Sequence, residues 1–144
     1  MDLDTYRPRV PSRLEDVYYP DGILAGQSRI LRCPFCDCEH WHGASLGDRN
    51  SHCTPHVVVR GGYLRINDAY GNPGYVLCEP ADAVNWDLER AMAQLWVLRS
   101  RYRRIRAEHD RINPWTAAER TRKRNLREQA DSLAALLLKA AVSL

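Results

Sequence analysis

The sequence predicts an α+β fold in which a small antiparallel β domain precedes a long antiparallel helical hairpin. Three observations carry that expectation. Short β-type runs broken by Gly and Pro fill residues 23–79, three of the five cysteines fall within six residues of one another, and beyond Pro80 apolar residues recur at steps of four and three. At 144 residues the chain can bury one ordinary core or two small ones, too little for a large multidomain enzyme.

Residues 1–22 hold Pro8, Pro11 and Pro20 among charges and tyrosines, which opposes helix and predicts an extended N-terminal arm anchored by Tyr6, Tyr18 and Tyr19. The β domain is expected over 23–79. Its strand-like runs are Ile23–Ala25, Ile30–Leu31 leading into Cys33, Val57–Val59, Tyr63–Ile66 and Tyr75–Leu77. Gly61-Gly62 suits a two-residue hairpin turn, and Gly71-Asn72-Pro73-Gly74 marks another turn.

The hairpin is expected over 82–143. Val84, Leu88, Ala91, Leu95, Leu98, Tyr102, Ile105, His109 and Ile112 form an unbroken seam, predicting a first helix over about 82–112. Asn113-Pro114 ends it, because a residue before proline is pushed out of the helical region. The second helix can start with Pro114 in its first turn or with Thr116 and Glu119 as a capping box. Leu126, Ala130, Leu133, Leu137, Ala140 and Leu144 continue its seam, broadened by Leu136 and Leu138. Trp86 and Trp96 are expected to pack the first helix, and Trp115 the turn.

Cys33, Cys36, Cys38, Cys53 and Cys78 are odd in number and clustered, which favours a metal site over a disulfide framework. Cys33-Pro34-Phe35-Cys36 has the spacing at which a tight turn aims two sulfurs at one ion, and Cys53 supplies a third. Zn2+ suits such donors, so the β domain reads as zinc-bound and zinc-ribbon-like, with the ion contributing to its folding. Spacing alone leaves the fourth ligand open. His56 would complete a second two-residue gap in Cys53-Thr54-Pro55-His56, and His42, His40 and His52 are its rivals. Trp41 is expected to cover the ion.

The runs Cys33-Pro34-Phe35-Cys36, His40-Trp41-His42-Gly43 and Arg49-Asn50-Ser51-His52-Cys53 together resemble small zinc-finger-like proteins encoded by actinobacteria and their phages, which carry Cys-Pro-x-Cys, His-x-His-Gly and His-Cys elements. The resemblance spans 21 residues, from 33 to 53, and implies His42 as the fourth ligand. The chain departs from it at Asp37-Cys38, where those proteins have glycine directly after the second cysteine. That departure makes Cys38 an additional or alternative ligand.

A sulfur-rich set with spare ligands points to a closed, structural site, and neither Asp37 nor Glu39 falls in a zinc-hydrolase or deaminase signature. The chain therefore reads as a binding module and not an enzyme. Between Arg99 and Arg127 eleven basic residues face three acidic ones, a local charge of +8 in a chain whose total is +3, which leaves −5 elsewhere. Arg99, Arg101, Arg103, Arg104, Arg106, Arg120, Arg122, Lys123, Arg124 and Arg127 are the candidate nucleic-acid contacts, since guanidinium pairs well with phosphate. A solvated helical face would also be charged, but with mixed signs. The expected partner is nucleic acid, DNA or RNA, or else an acidic protein surface, with a homodimer through the seam possible. With an acidic start and no long apolar stretch, a cytoplasmic location with no membrane contact is expected.

Overall fold

The computed structural model describes residues 2–58 and 64–143, with side chains described outside 56–65 and 141–144. The chain divides into two compact units, Met1–Gln94 and Leu95–Leu144. The Gly61-Gly62 turn lies outside the described residues.

Among the described residues the first unit is built from eight short strands in three sheets, followed by the opening turns of a helix. β1 (Arg9–Pro11), β8 (Tyr75–Cys78) and β5 (Gly47–Arg49) form one sheet, in that order. β1 runs parallel to β8, with Val10 opposite Leu77, so the sheet is mixed and not wholly antiparallel as expected. β2 (Arg13–Tyr18), β3 (Leu24–Arg32) and β4 (Glu39–Gly43) form an antiparallel sheet, and β6 (His56–Val58) pairs with β7 (Leu64–Ile66).

Strand structure thus begins at Arg9, inside the segment read as an arm. The prolines tolerate this because Pro11 closes an edge strand, where a missing N–H breaks no ladder. Tyr18 and Tyr19 are exposed at the β2–β3 turn, and only Tyr6 anchors, by donating its hydroxyl to Glu89. Ile23–Ala25 and Ile30–Leu31, read as separate runs, belong to a single excursion whose strand is the nine-residue β3.

The core of this unit gathers Val10, Ile30, Leu31, Phe35, Tyr75 and Leu77, all buried. Arg29 is buried as well. Its guanidinium bonds Ala44 O (2.8 Å) and Ser12 O (3.2 Å) and pairs through both outer nitrogens with Glu79, clamping β3 to the chain flanking β1 and β8. Gly74 has φ +85°, and a Cβ there would stand 2.2 Å from Arg49 O, so only glycine lets β5 and β8 come this close.

α1 (Trp86–Arg111) starts four residues later than expected. Asn85 caps it, its Oδ1 accepting from Leu88 N at 3.2 Å. In its first turns the buried residues are Met92 and Ala93, whereas Leu88 and Ala91 of the predicted seam are exposed. The helix is rotated by polar anchors: Glu89 accepts from Tyr6 and from Arg9 N (3.0 Å), and Gln94 Nε2 donates to Pro34 O.

The second unit is the helical hairpin, made of the rest of α1 and α2 (Ala117–Ser143). Here the seam holds. Ile105, Leu126, Ala130 and Leu133 are buried together, flanked by Leu98, Tyr102 and Ile112. The capping box forms as well, with Thr116 Oγ1 accepting from Glu119 N (3.1 Å) and Glu119 accepting from Thr116 N (2.8 Å), so Thr116 and not Pro114 opens α2. Leu136 and Leu138 do not widen the buried stripe but are exposed. Trp115 does not pack the turn either, for it is 80% exposed.

Candidate metal centre

The turn joining β3 to β4 is the Cys33–Cys38 knuckle. Cys33 N donates to Cys38 O (2.8 Å) and Asp37 N to Cys33 O (2.9 Å), closing the loop tightly. That closure demands φ +60° at Asp37, the left-handed region that costs a non-glycine residue free energy. Here Asp37 gains a bidentate pair with Arg32 (2.7 and 2.8 Å), which holds its carboxyl below the usual range.

β4 then leaves the knuckle with its residues alternating, so His40 and His42 face inward while Glu39 and Trp41 face out. Cys53 arrives from the loop between β5 and β6. It is positioned by Asn72, whose Nδ2 lies 3.4 Å from Cys53 Sγ, 2.6 Å from Ser51 Oγ and 2.7 Å from Ala69 O.

Cys33, Cys36, His40 and Cys53 converge, their four ligand atoms all within 4.8 Å of one another. Cys33 Sγ and Cys53 Sγ are 3.7 Å apart, and Cys36 Sγ is 3.3 Å from His40 Nε2. A tetrahedral ion with metal–sulfur bonds of about 2.3 Å holds two thiolates about 3.8 Å apart, so the donors fit in both kind and spacing. This Cys3His cluster could hold a metal ion.

The structure brings together the three predicted cysteines but places His40, not His42, as the fourth donor. The reason lies in strand geometry. Both rings share one face of β4, and His42 is two residues, about 7 Å, farther from the knuckle. Its Nε2 instead bonds the Tyr75 hydroxyl at 2.7 Å. The His56 side chain lies outside the described residues. Cys38 is exposed and His52 is exposed, neither belonging to the cluster.

Tyr75, fully buried, was not read from the sequence as anything but a strand residue. Its hydroxyl lies 2.9 Å from His40 Nδ1 as well as 2.7 Å from His42 Nε2. If His40 Nε2 gives its lone pair to an ion, its proton sits on Nδ1 and is donated to Tyr75, whose own hydroxyl is donated to His42. The electrostatics agree with this direction. Burial, then the neighbouring sulfurs of Cys33, Cys53 and Cys36, push the Tyr75 hydroxyl up, and burial, followed by His52, His40 and Arg49, pushes His42 down to about 4, leaving it a neutral acceptor. His52 lies against His42 with ring centroids 4.4 Å apart and planes tilted by 43°, and it stacks on His40 at 5.9 Å.

The sulfurs are strongly differentiated. Bonds from Cys33 and Cys53 hold Cys36 as thiolate, while bonds to Cys36 and Cys53, then burial, push Cys33 up. Cys53 is pushed up to about 11: its bond with Cys33 works the other way, and its bond to Cys36 and its burial outweigh that. Three sulfurs this close in a buried site can all be thiolates only with a cation to balance their charge, which is what the donor set offers to bind. An open cleft of about 380 Å³ leads to the cluster past Cys38 and His52, with Trp41 half exposed at its rim.

No family model matches the chain, and no curated protein or solved structure matches it significantly.

The other predicted site residues lie on the hairpin. Arg101, Arg103, Arg106, Arg120, Arg122, Arg124 and Arg127 are exposed, with Arg99, Arg104 and Lys123 half-buried. Arg122 pairs across the helices with Glu108 (2.6 Å), and Lys123 Nζ donates to Ile112 O (3.1 Å), so these two also serve the fold. Among the described residues no helix is long and apolar enough to cross a membrane.

Proposed function

We propose that this protein is a non-enzymatic, zinc-dependent module that contacts nucleic acid through its basic hairpin. The observation that carries the reading is the one-sided charge of residues 99–127, eleven basic against three acidic, with most of the arginines on the surface. Phosphate contact by such a surface gains affinity from released counterions and has little base preference. Zinc is the ion favoured by three thiolates and an imidazole at tetrahedral spacing, and four protein donors leave no coordination position for a substrate. On this reading the ion stabilises the β unit and takes no part in a reaction.

The test is a binding titration against labelled nucleic acid across salt concentrations. Affinity is expected to fall steeply with salt, and the slope to flatten when Arg103, Arg104, Arg122 and Arg124 become alanine. Absence of binding at low salt would sink the proposal. A protein-interaction module, docking on an acidic partner or dimerising, is the second reading, and the exposed Leu136 and Leu138 of α2 favour it. Sedimentation of the free chain separates the two, since dimerisation through those leucines predicts that Leu136→Ser with Leu138→Ser gives a monomer.

A further inference from the structure

We infer that the hairpin tip takes single-stranded nucleic acid in particular, stacking a base on Trp115 and seating the adjoining phosphate in a cleft lined by Arg120, Lys123, Arg124 and Arg127. This deepens the nucleic-acid reading above and rests on it.

Two independent features of the tip meet here. The first is the indole. Trp115 is the most exposed large apolar side chain among the described residues, yet its backbone is fixed: its N–H bonds Asn113 O (2.9 Å), and Arg120 Nη1 donates to its carbonyl (3.1 Å). An indole carried on a held backbone with its faces in water is a stacking platform, and stacking tolerates any base because every base has a π face. In a duplex those faces are already stacked, which restricts the platform to unpaired strands.

The second is the cleft. Pro114, next to the indole, borders a cavity of about 290 Å³ together with His109 and the four cations of α2. That is the space of roughly ten water molecules, enough for a phosphate and part of its sugar. Arg120, Arg124 and Arg127 recur at four- and three-residue steps along one face of α2, about 6 and about 4.5 Å apart along its axis. Among the described residues no carboxylate lines the cleft; Glu119 is engaged in the capping box, and Asp110, whose charge also acts on Lys123, bonds His109 Nδ1 (2.9 Å). Arg124 and Arg127 have no ion pair among the described residues, so their guanidinium groups are available to an anion.

The experiment uses the full chain and fluorescence anisotropy with three labelled probes: a short single strand of mixed sequence, its duplex, and an abasic strand of equal length. The single strand is expected to bind most tightly at a given salt. Trp115→Ala should weaken it about tenfold to a hundredfold without changing the salt slope, and Trp115→Phe should recover most of the loss. The abasic strand should bind the wild-type chain as weakly as the natural strand binds Trp115→Ala. Arg124→Ala with Arg127→Ala should lower the slope of log affinity against log salt by about 0.7 per charge removed. Duplex and abasic binding equal to the single strand, with Trp115→Ala silent, would overturn the stacking assignment and leave the general nucleic-acid reading standing. No binding of any probe at low salt would end both.

Discussion

In the hairpin a single layer of side chains, Ile105, Leu126, Ala130 and Leu133, meets along two helices whose own hydrogen bonds are local. In the β unit the buried residues are spread over strands of three to nine residues, and what joins them is a few convergent polar groups: the Cys3His cluster, the Arg29–Glu79 pair and Asn72 beneath Cys53. The first arrangement distributes its stabilisation, so that each position matters a little. The second concentrates it, so that a few positions matter greatly, and on the proposed zinc-dependent reading the small sheet relies on an ion to fold.

The sharpest way to break that contrast is to remove the ion. Cys33→Ser, Cys53→Ser or a strong chelator should abolish the cooperative thermal transition of residues 1–94, a loss on the scale of about 10 kcal/mol of metal-binding free energy. Helical ellipticity should survive in part, because the hairpin's packing contains no ligand. Melting curves that superimpose with and without chelator would show that the β unit needs no metal.

A smaller effect distinguishes the two inward histidines of β4. His40→Ala should leave the chain well below one metal per molecule by elemental analysis. His42→Ala should keep the metal, with affinity reduced about tenfold through loss of the Tyr75 bond behind His40. The opposite ranking would return His42 to the ligand set.

The protonation of the sulfurs sharpens the same site. Cys36 is held as thiolate and releases no proton on binding, whereas Cys33 and Cys53 are held protonated at neutral pH, Cys53 up to about 11. Each must lose its proton to the ion, so affinity rises with pH and falls as acid is added. Log affinity should increase by about two per pH unit between about pH 7 and 9. Competition against a chromogenic chelator reads this directly, and a flat profile would contradict the assignment.

The smallest effect belongs to the hairpin. Thr116→Ala removes one side of the capping box and should cost about 1 kcal/mol in chemical denaturation. A much larger loss would mean that the hairpin, too, depends on single positions.

These differences follow what was legible in the residues. Leu98 through Ile112 and Leu126 through Leu133 announced their packing because a helix repeats its face every seven residues and its partner does the same. The same reading failed over Leu88 and Ala91, where α1 is oriented by Glu89 and Gln94 bonding groups from distant parts of the chain, and no periodicity encodes that. Residues 1–22 read as an arm because the partners of β1 and β2, β8 and β3, lie outside the local window. Trp115 was expected to be covered, and only the path of the 112–116 turn leaves it in water.

By itself the sequence determined that Cys33, Cys36 and Cys53 form one site, that two helices follow, and that positive charge gathers at their turn, since each is a matter of residue type and local spacing. Which histidine completes the site was decided only in three dimensions. His40 and His42 share a face of one strand, and their distances from the knuckle depend on how β3 turns into β4 through the left-handed Asp37.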